Sequence, residues 1–312
     1  MSYTASGAHG IMFHHFHNEK HPRGQGSISG STLEQILDFV DSGQIIPARE
    51  WHFGAQRDSL RGNEICLTFD DALSCQIDVA LPILDERNIK AFWFVNSAAV
   101  ISRSDHLEIF RHFRSTCFAE FEHFASAFSA LTCLHQPTLF LEAKRNFDPS
   151  SYLKQFPFYS VEDKWYRFLR DMVLGPKRYV RLMFELMNKE GYDTKRHADS
   201  LWMSVEDIKQ LHDEGHLVGL HSHNHPTQLA ALPLDEQRSE YRQNREALRE
   251  ITGEYPIAAS HPCNSYSKET LSILSEFGIN LAFRSNMQTI ADRSALEWPR
   301  QDHAIIVEEM RQ

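Results

Sequence analysis

Two short stretches of the chain carry the residue types that metal chemistry needs. Leu67-Thr68-Phe69-Asp70-Asp71-Ala72 ends one apolar run, and far downstream His221-Ser222-His223-Asn224-His225 ends another. Two neutral imidazoles and one carboxylate, with coordination positions left open, suit Zn²⁺ or a similar divalent ion that binds and activates water. A second carboxylate beside that set is free to take a proton from the water. Each half alone is weak. An Asp-Asp pair commonly caps a helix or closes a turn, and the His-x-x-x-His pair, flanked by Gly219 and Pro226, need not lie on a helix. Together, at the ends of two apolar runs, they point to a metal-dependent hydrolase.

Residues so far apart meet only if the elements before them are neighbouring parallel strands, whose C-terminal ends hold the site in α/β folds. Ile65 to Phe69 and Ala91 to Val95 are continuous apolar runs. Ile77, Leu81 and Leu84 recur at helical spacing between them, over Ser74 to Arg87, which makes a βαβ unit and a parallel pair. Gly10-Ile11-Met12-Phe13 reads as a short strand delivering His14 and His15 to its end. Ser31-Thr32-Leu33-Glu34 is a capping signature before Leu33, Ile36, Leu37 and Val40, with Gly43 beyond the helix end. Further helices are expected at Ser204 to Glu214, Leu234 to Ile251 and Lys268 to Phe277, and strands at His216 to Leu220, Tyr255 to Ala259, Ile279 to Phe283 and Ala304 to Val307. This is an α/β pattern of about seven strands interleaved with helices, with no repeat or Gly/Ser linker dividing it. One barrel-like domain over 1–312 is the economical reading. At about 100–200 the pattern becomes helical and rich in aromatics, among them Phe118, Phe121, Phe124, Phe128, Trp165, Tyr166, Phe168 and Phe184. Their spacing of three or four is that of core packing, so a mainly helical insertion is expected there.

Composition narrows the partners. With 312 residues and 42% hydrophobic content, the chain can bury a large core. A net charge of -10 argues against nucleic acid or an anionic membrane as the main partner. No window approaches the roughly 18 apolar residues of a membrane span, and Met1-Ser2-Tyr3-Thr4-Ala5-Ser6 lacks a basic segment followed by an apolar one. A cytoplasmic protein is the expectation. The five cysteines include no C-x-x-C pair and fit reduced thiols, with Cys66 in the core. Histidine is the outlier at 18 residues, five of them within the first 21 positions.

With these residues in view, the chain resembles the polysaccharide deacetylase family, the NodB-homology or carbohydrate esterase family 4 group. Thr68-Phe69-Asp70-Asp71-Ala72 matches its first motif, T-F-D-D-[GA], and His221-Ser222-His223-Asn224-His225 its second, H-[ST]-x-x-[HS]. The resemblance implies a distorted (β/α)7 barrel, extends from about Gly10 to Val307, and assigns roles. Asp70 would be the general base, and Asp71, His221 and His225 the ligands of one divalent ion, Zn²⁺ before Co²⁺, Ni²⁺, Mn²⁺ or Fe²⁺. Ser222 would hold the loop through its hydroxyl. The implied reaction removes an N-acetyl group from an acetamido sugar, releasing acetate and leaving an amine.

The third family motif, R-P-P-Y-G, is where the chain departs. Its counterpart, Ser260-His261-Pro262-Cys263-Asn264, keeps a proline but has no arginine to orient the base, and Cys263 falls where a backbone N–H would face the oxyanion. Trp298-Pro299-Arg300-Gln301-Asp302-His303 offers replacements: Arg300 to orient Asp70, and His303 to protonate the leaving amine, with His14, His15 and His261 as alternative acids. The ending and the His-rich start resemble a WbmS-like bacterial subgroup associated with lipopolysaccharide and O-antigen biosynthesis. That resemblance implies a nucleotide-activated or lipid-linked sugar as substrate. The rival readings are a hydrolase of another amide or ester, such as an O-acetyl sugar or a cyclic ureide, and a degenerate carbohydrate-binding protein. Oligomeric state is not legible in the sequence.

Overall fold

The computed structural model describes residues 3, 5, 7–103, 105–154 and 159–312, with Ser42 by its backbone alone. Met1, Ser2, Thr4 and Ser6 of the N-terminal stretch, and positions 104 and 155–158 of the expected insertion, lie outside them. The chain divides into two compact units, one formed by Met1–Asp105 with Ala198–Gln312 and the other by His106–His197.

The first unit is built on seven parallel strands: β1 (His9–Phe13), β2 (Ile65–Asp70), β3 (Phe92–Val95), β4 (Leu217–Leu220), β5 (Ala258–Ser260), β6 (Leu281–Phe283) and β7 (Arg300–Asp302). Their order is β6-β5-β4-β3-β2-β1-β7. Trp298, just before β7, bridges to Phe283 of β6, with Arg284 N donating to Trp298 O at 2.8 Å and Trp298 N to Ala282 O at 2.8 Å. The ring is therefore nearly closed, which is the expected (β/α)7 architecture. Strands covered on both faces read as continuous apolar runs, and every residue of β1 to β6 is buried. Gly219 of β4 has no room for a side chain, since a Cβ there would lie 2.7 Å from Ala258 O and from the Phe94 ring.

Helices flank the strands: α1 (Gly30–Val40), α2 (Ala48–Gln56), α3 (Leu81–Glu86) and α4 (Ser97–Ser102) in the first part of the unit. The second unit is helical, with α5 (His106–Cys117), α6 (Phe121–His135), α7 (Pro137–Asn146), α8 (Val161–Phe168), α9 (Gly175–Lys189) and most of α10 (Thr194–Ala198). Its core includes Phe110, Phe113, Phe124, Phe128, Tyr166 and Tyr179, and the last two phenols hydrogen-bond at 2.6 Å. The aromatic stripe read from the sequence packs there. The barrel unit continues with α11 (Val205–Asp213), α12 (Leu234–Thr252), α13 (Lys268–Glu276) and α14 (His303–Glu309). No helix among the described residues is long and apolar enough to cross a membrane.

The end of the chain corrects one expectation. Ala304 to Val307 is helix, and the last strand is the preceding Arg300–Asp302. The Asp302 side chain caps the Ala304 N–H at 2.9 Å, and His303 and Ile306 turn inward at helical spacing while Ile305 is exposed. A strand of Arg, Gln and Asp presents no apolar run, and its buried Arg300 spends its guanidinium in polar bonds. Smaller differences fall at the edges: β5 begins at Ala258 and β6 at Leu281, and a π-helical turn, Gln76–Ala80, precedes α3.

Candidate active site

The strand ends converge as the spacing predicts. Asp70 is the last residue of β2, and Asp71 follows at φ 76°, a left-handed conformation disfavoured for a side-chain-bearing residue. Its N–H donates to Phe94 O at 3.1 Å, which fixes the turn. His221 follows β4, and Ser222 (φ 61°) and His225 (φ 52°) fold the loop back, with Ser222 Oγ accepting the His225 N–H at 3.1 Å. Sparsely populated backbone of this kind persists where the surroundings dictate it, commonly at functional sites.

Asp71 Oδ1 lies 3.3 Å from His221 Nε2 and 3.4 Å from His225 Nε2. One donor atom from each of these three residues falls within 4.8 Å of the others. The His221 Nδ1–H donates to Ser260 O at 3.0 Å, so Nε2 carries the lone pair that faces the site. Asp71 Oδ1 is buried without a hydrogen-bond donor. A buried, unpaired carboxylate oxygen facing two imidazole nitrogens is what a cation site leaves when only protein atoms are counted, and the N₂O set fits a Zn²⁺-like ion. A second group, Asp85, Glu214 and His216, differs. The Lys90 ammonium already sits 3.2 Å from Asp85 Oδ1 and 3.4 Å from His216 Nε2.

Asp70, beside the triad, is gripped by Arg300. Arg300 Nη1 donates to Asp70 Oδ1 and Nη2 to Asp70 Oδ2, both at 2.8 Å, with the pair 1% and 2% exposed. The remaining guanidinium hydrogens reach Thr68 Oγ1 (3.2 Å), Ser260 Oγ (2.7 Å) and Arg284 O (2.7 Å), so all five donors are used. Ser260 Oγ in turn donates to Asp70 Oδ2 at 3.1 Å. Burial pushes the Asp70 carboxyl up, but Arg300, then His221, outweigh it and hold the group below the usual carboxylate range. Asp71 is held well below that range against the same burial, with His225 foremost. Arg300 reaches Asp70 past Gly10, its register partner on β1, where a Cβ would stand 3.1 Å from the arginine stem.

The candidate acids separate. His14, just beyond β1, puts Nε2 3.8 Å from Asp70 Oδ2 and is partly open to solvent. His303 is not brought to Asp70 in this way. Its ring stacks on Phe13 at 5.6 Å, with Nδ1 against Met12 O and Nε2 against Gly26 O, each at 3.1 Å. His261 is buried against Leu296 O (2.8 Å) and the Tyr266 ring, and burial pushes its pKa down to about 4. His15 stacks on His14 at 6.3 Å. Cys263 is exposed at φ 49°.

Sequence reasoning passed over Gln76. Its Nε2 donates to Asp70 O (2.7 Å) and to His14 O (2.8 Å) from a fully buried position, tying the loop after β1 to the end of β2. Both contacts are carbonyls, so the amide orientation is forced. The one available signal was a polar residue inside the apolar helical pattern.

The family model for polysaccharide deacetylase matches residues 57–114 and 175–282, more than half of the chain. The chain belongs to the polysaccharide deacetylase family. No curated protein matches it significantly. Among solved structures it is similar to IcaB from Ammonifex degensii, at 16% identity and TM-score 0.56, over 96% of this chain and 93% of that one. The Streptococcus pyogenes deacetylase PplD in complex with acetate gives 16%, 0.55, 96% and 93%. A de-N-acetylase from Aggregatibacter actinomycetemcomitans gives 10%, 0.54, 94% and 93%. At such identities the likeness speaks for the fold. The matched segments of this family member hold Asp70, Asp71, His221 and His225, whereas His14 and Arg300 fall outside them.

Proposed function

We propose that this polysaccharide deacetylase family member is a metal-dependent hydrolase that removes the N-acetyl group from an acetamido sugar. The observation that carries the reading is the division of labour between adjacent carboxylates. Both Asp70 oxygens are engaged by Arg300, while Asp71 Oδ1 faces two imidazoles with no donor of its own. Asp71, His221 and His225 would hold one divalent ion, with Zn²⁺ the best match to the donor set. When bound, the ion supplies Lewis acidity to the amide carbonyl and to water.

The chain's own residues do the rest. Asp70 Oδ2 is the oxygen turned toward the site, 3.9 Å from His221 Nε2 and 3.8 Å from His14 Nε2. It accepts the proton of the attacking water, and Arg300 and Ser260 keep the carboxylate ionised and oriented. His14 protonates the nitrogen as the C–N bond breaks, and acetate and a free amine are released. His14 takes this role in place of His303 because the ring nitrogens of His303 lie against backbone carbonyls. The family favours an acetamido sugar as substrate, and the resemblance to the WbmS-like subgroup favours one presented on a nucleotide or lipid carrier in bacterial surface polysaccharide biosynthesis.

The test is metal content of the purified protein and of Asp71→Ala and His221→Ala, with acetate release on UDP-linked and simple N-acetylhexosamines. The expected result is one ion per chain, lost in both variants, and acetate released only by the parent. A metal-bound parent that releases nothing from any substrate refutes the deacetylase reading, and a parent without metal affinity refutes the mechanism.

A further inference from the structure

The loop that carries both imidazoles owes its shape to α12. Ser222 and His225 are left-handed (φ 61° and 52°), and such backbone persists only where neighbours hold it. Glu240, buried on α12, accepts the His223 N–H (3.0 Å) and the Asn224 N–H (2.7 Å) on Oε2, and the Asn224 side-chain amide (2.7 Å) on Oε1. One turn later Asn244, fully buried, accepts the His221 N–H at 3.0 Å and donates to Val95 O at 2.9 Å. The start of α4 completes the frame: Ser97 Oγ lies 2.9 Å from His223 Nδ1, and Ala98 N donates to His223 O at 3.0 Å. Three backbone N–H groups between His221 and Asn224 thus reach two α12 side chains, the His221 N–H being shared with Val95 O at 3.2 Å. Neither of those side chains hydrogen-bonds Asp70, Asp71 or Arg300 among the contacts described.

We infer that Glu240 and Asn244 are positioning residues that set the His221–His225 geometry, so that the imidazoles are in place before an ion arrives. The inference rests on the triad being a cation site. An acceptor oxygen at the reach of a glutamate, not negative charge in the neighbourhood, is what the loop requires. Glu240→Gln keeps the reach and an acceptor oxygen, whereas Glu240→Asp keeps the charge and withdraws it by one methylene.

The experiment is titration of metal-stripped full-length protein with Co²⁺, read by its visible absorption, for the parent, Glu240→Ala, Glu240→Gln, Glu240→Asp, Asn244→Ala and Asp71→Ala. Loss of a group that orients ligands typically weakens metal binding about 10- to 100-fold. That loss, with an altered Co²⁺ spectrum, is expected for Glu240→Ala, Glu240→Asp and Asn244→Ala, with Glu240→Gln near the parent. Parental affinity and spectrum in Glu240→Ala and Asn244→Ala would overturn the inference. Should Glu240→Ala not fold, the Gln and Asp variants decide, and equal affinities for those two overturn it. A parent that binds no Co²⁺, or Asp71→Ala binding as tightly as the parent, removes the cation site and the inference with it.

Discussion

Replacing Arg300 by Met tests the centre of the argument, because the guanidinium is 1% exposed and spends all five donors within the fold. Met fills much of the volume but leaves Asp70 as a buried carboxylate without its cation. Removing one partner of a buried ion pair costs about 3–5 kcal/mol. The same change should appear in the pH dependence. Asp70 now sits below the usual carboxylate range because Arg300, then His221, outweigh burial. Without Arg300 the largest opposing charge is gone and the carboxyl rises. The base must be ionised to act, so activity, lost as pH falls, is lost at a higher pH in the variant. The stability sign agrees: a depressed carboxylate contributes above its unfolded value and the contribution disappears as pH falls through the folded value, so Arg300→Met forfeits it at neutral pH. Denaturant unfolding gives the energy, and acetate release against pH gives the acid limb. Arg300→Lys, with charge but no fork, should fall between. A cost under about 1 kcal/mol with an unmoved acid limb would refute the assignment of Arg300 as the partner that holds the base.

Three further outcomes follow from the geometry. His14→Gln should lower kcat by about 10²–10⁴-fold with unchanged metal content, and His303→Gln should not; equal losses would remove His14 from the acid role. Gln76→Leu deprives Asp70 O and His14 O of their shared donor. It should cost about 1–3 kcal/mol and lower kcat more than it raises KM, and an unchanged kcat would show that the tie is dispensable. His216 accepts N–H bonds from Ala91 and Trp93 on Nδ1, and burial, aided by Lys90, pushes it from 6.5 down to about 4. Its neutral form therefore stabilises the fold above pH 6.5. That contribution, on the order of 3 kcal/mol, is lost as pH falls from 6.5 through about 4. Melting temperature against pH should be flatter over that window in His216→Gln, and an unchanged slope would exclude His216 as its source.

How much of this was legible in the sequence depended on which signal a residue leaves. The strands β1 to β4 announce themselves because burial on both faces demands apolar runs. Asp70, Asp71, His221 and His225 are legible because they interrupt such runs at their ends. β7 lies a few residues before the expected strand because Arg300 is buried through hydrogen bonds and Gln301 is buried although polar, states that hydrophobic patterning does not register. Gln76, Glu240 and Asn244 were passed over for a related reason. On helices with one solvated face, a buried polar residue cannot be told from an exposed one until the loop it serves is seen. Arg300 and His303 adjoin in sequence, but a strand-to-helix corner intervenes and turns the His303 ring toward Met12 and Gly26.

The missing third-motif arginine has a geometric answer in a nearly closed ring. Ser260 ends β5 and Arg300 begins β7, and the long Arg300 side chain reaches both Asp70 oxygens from that start. Ser260 stands on the β5 end, and instead of supplying charge it hydrogen-bonds both the guanidinium and the carboxylate. Its backbone carbonyl meanwhile fixes the His221 tautomer. Gly10 makes the substitution feasible, because a side chain there would press on the arginine stem as it crosses β1. The requirement on the site is thus a buried fork of donors on Asp70, and its position in the sequence is free wherever the fold leaves a clear path. Departure from the motif is consequently no argument for a degenerate site when the bidentate pair is present at 2.8 Å.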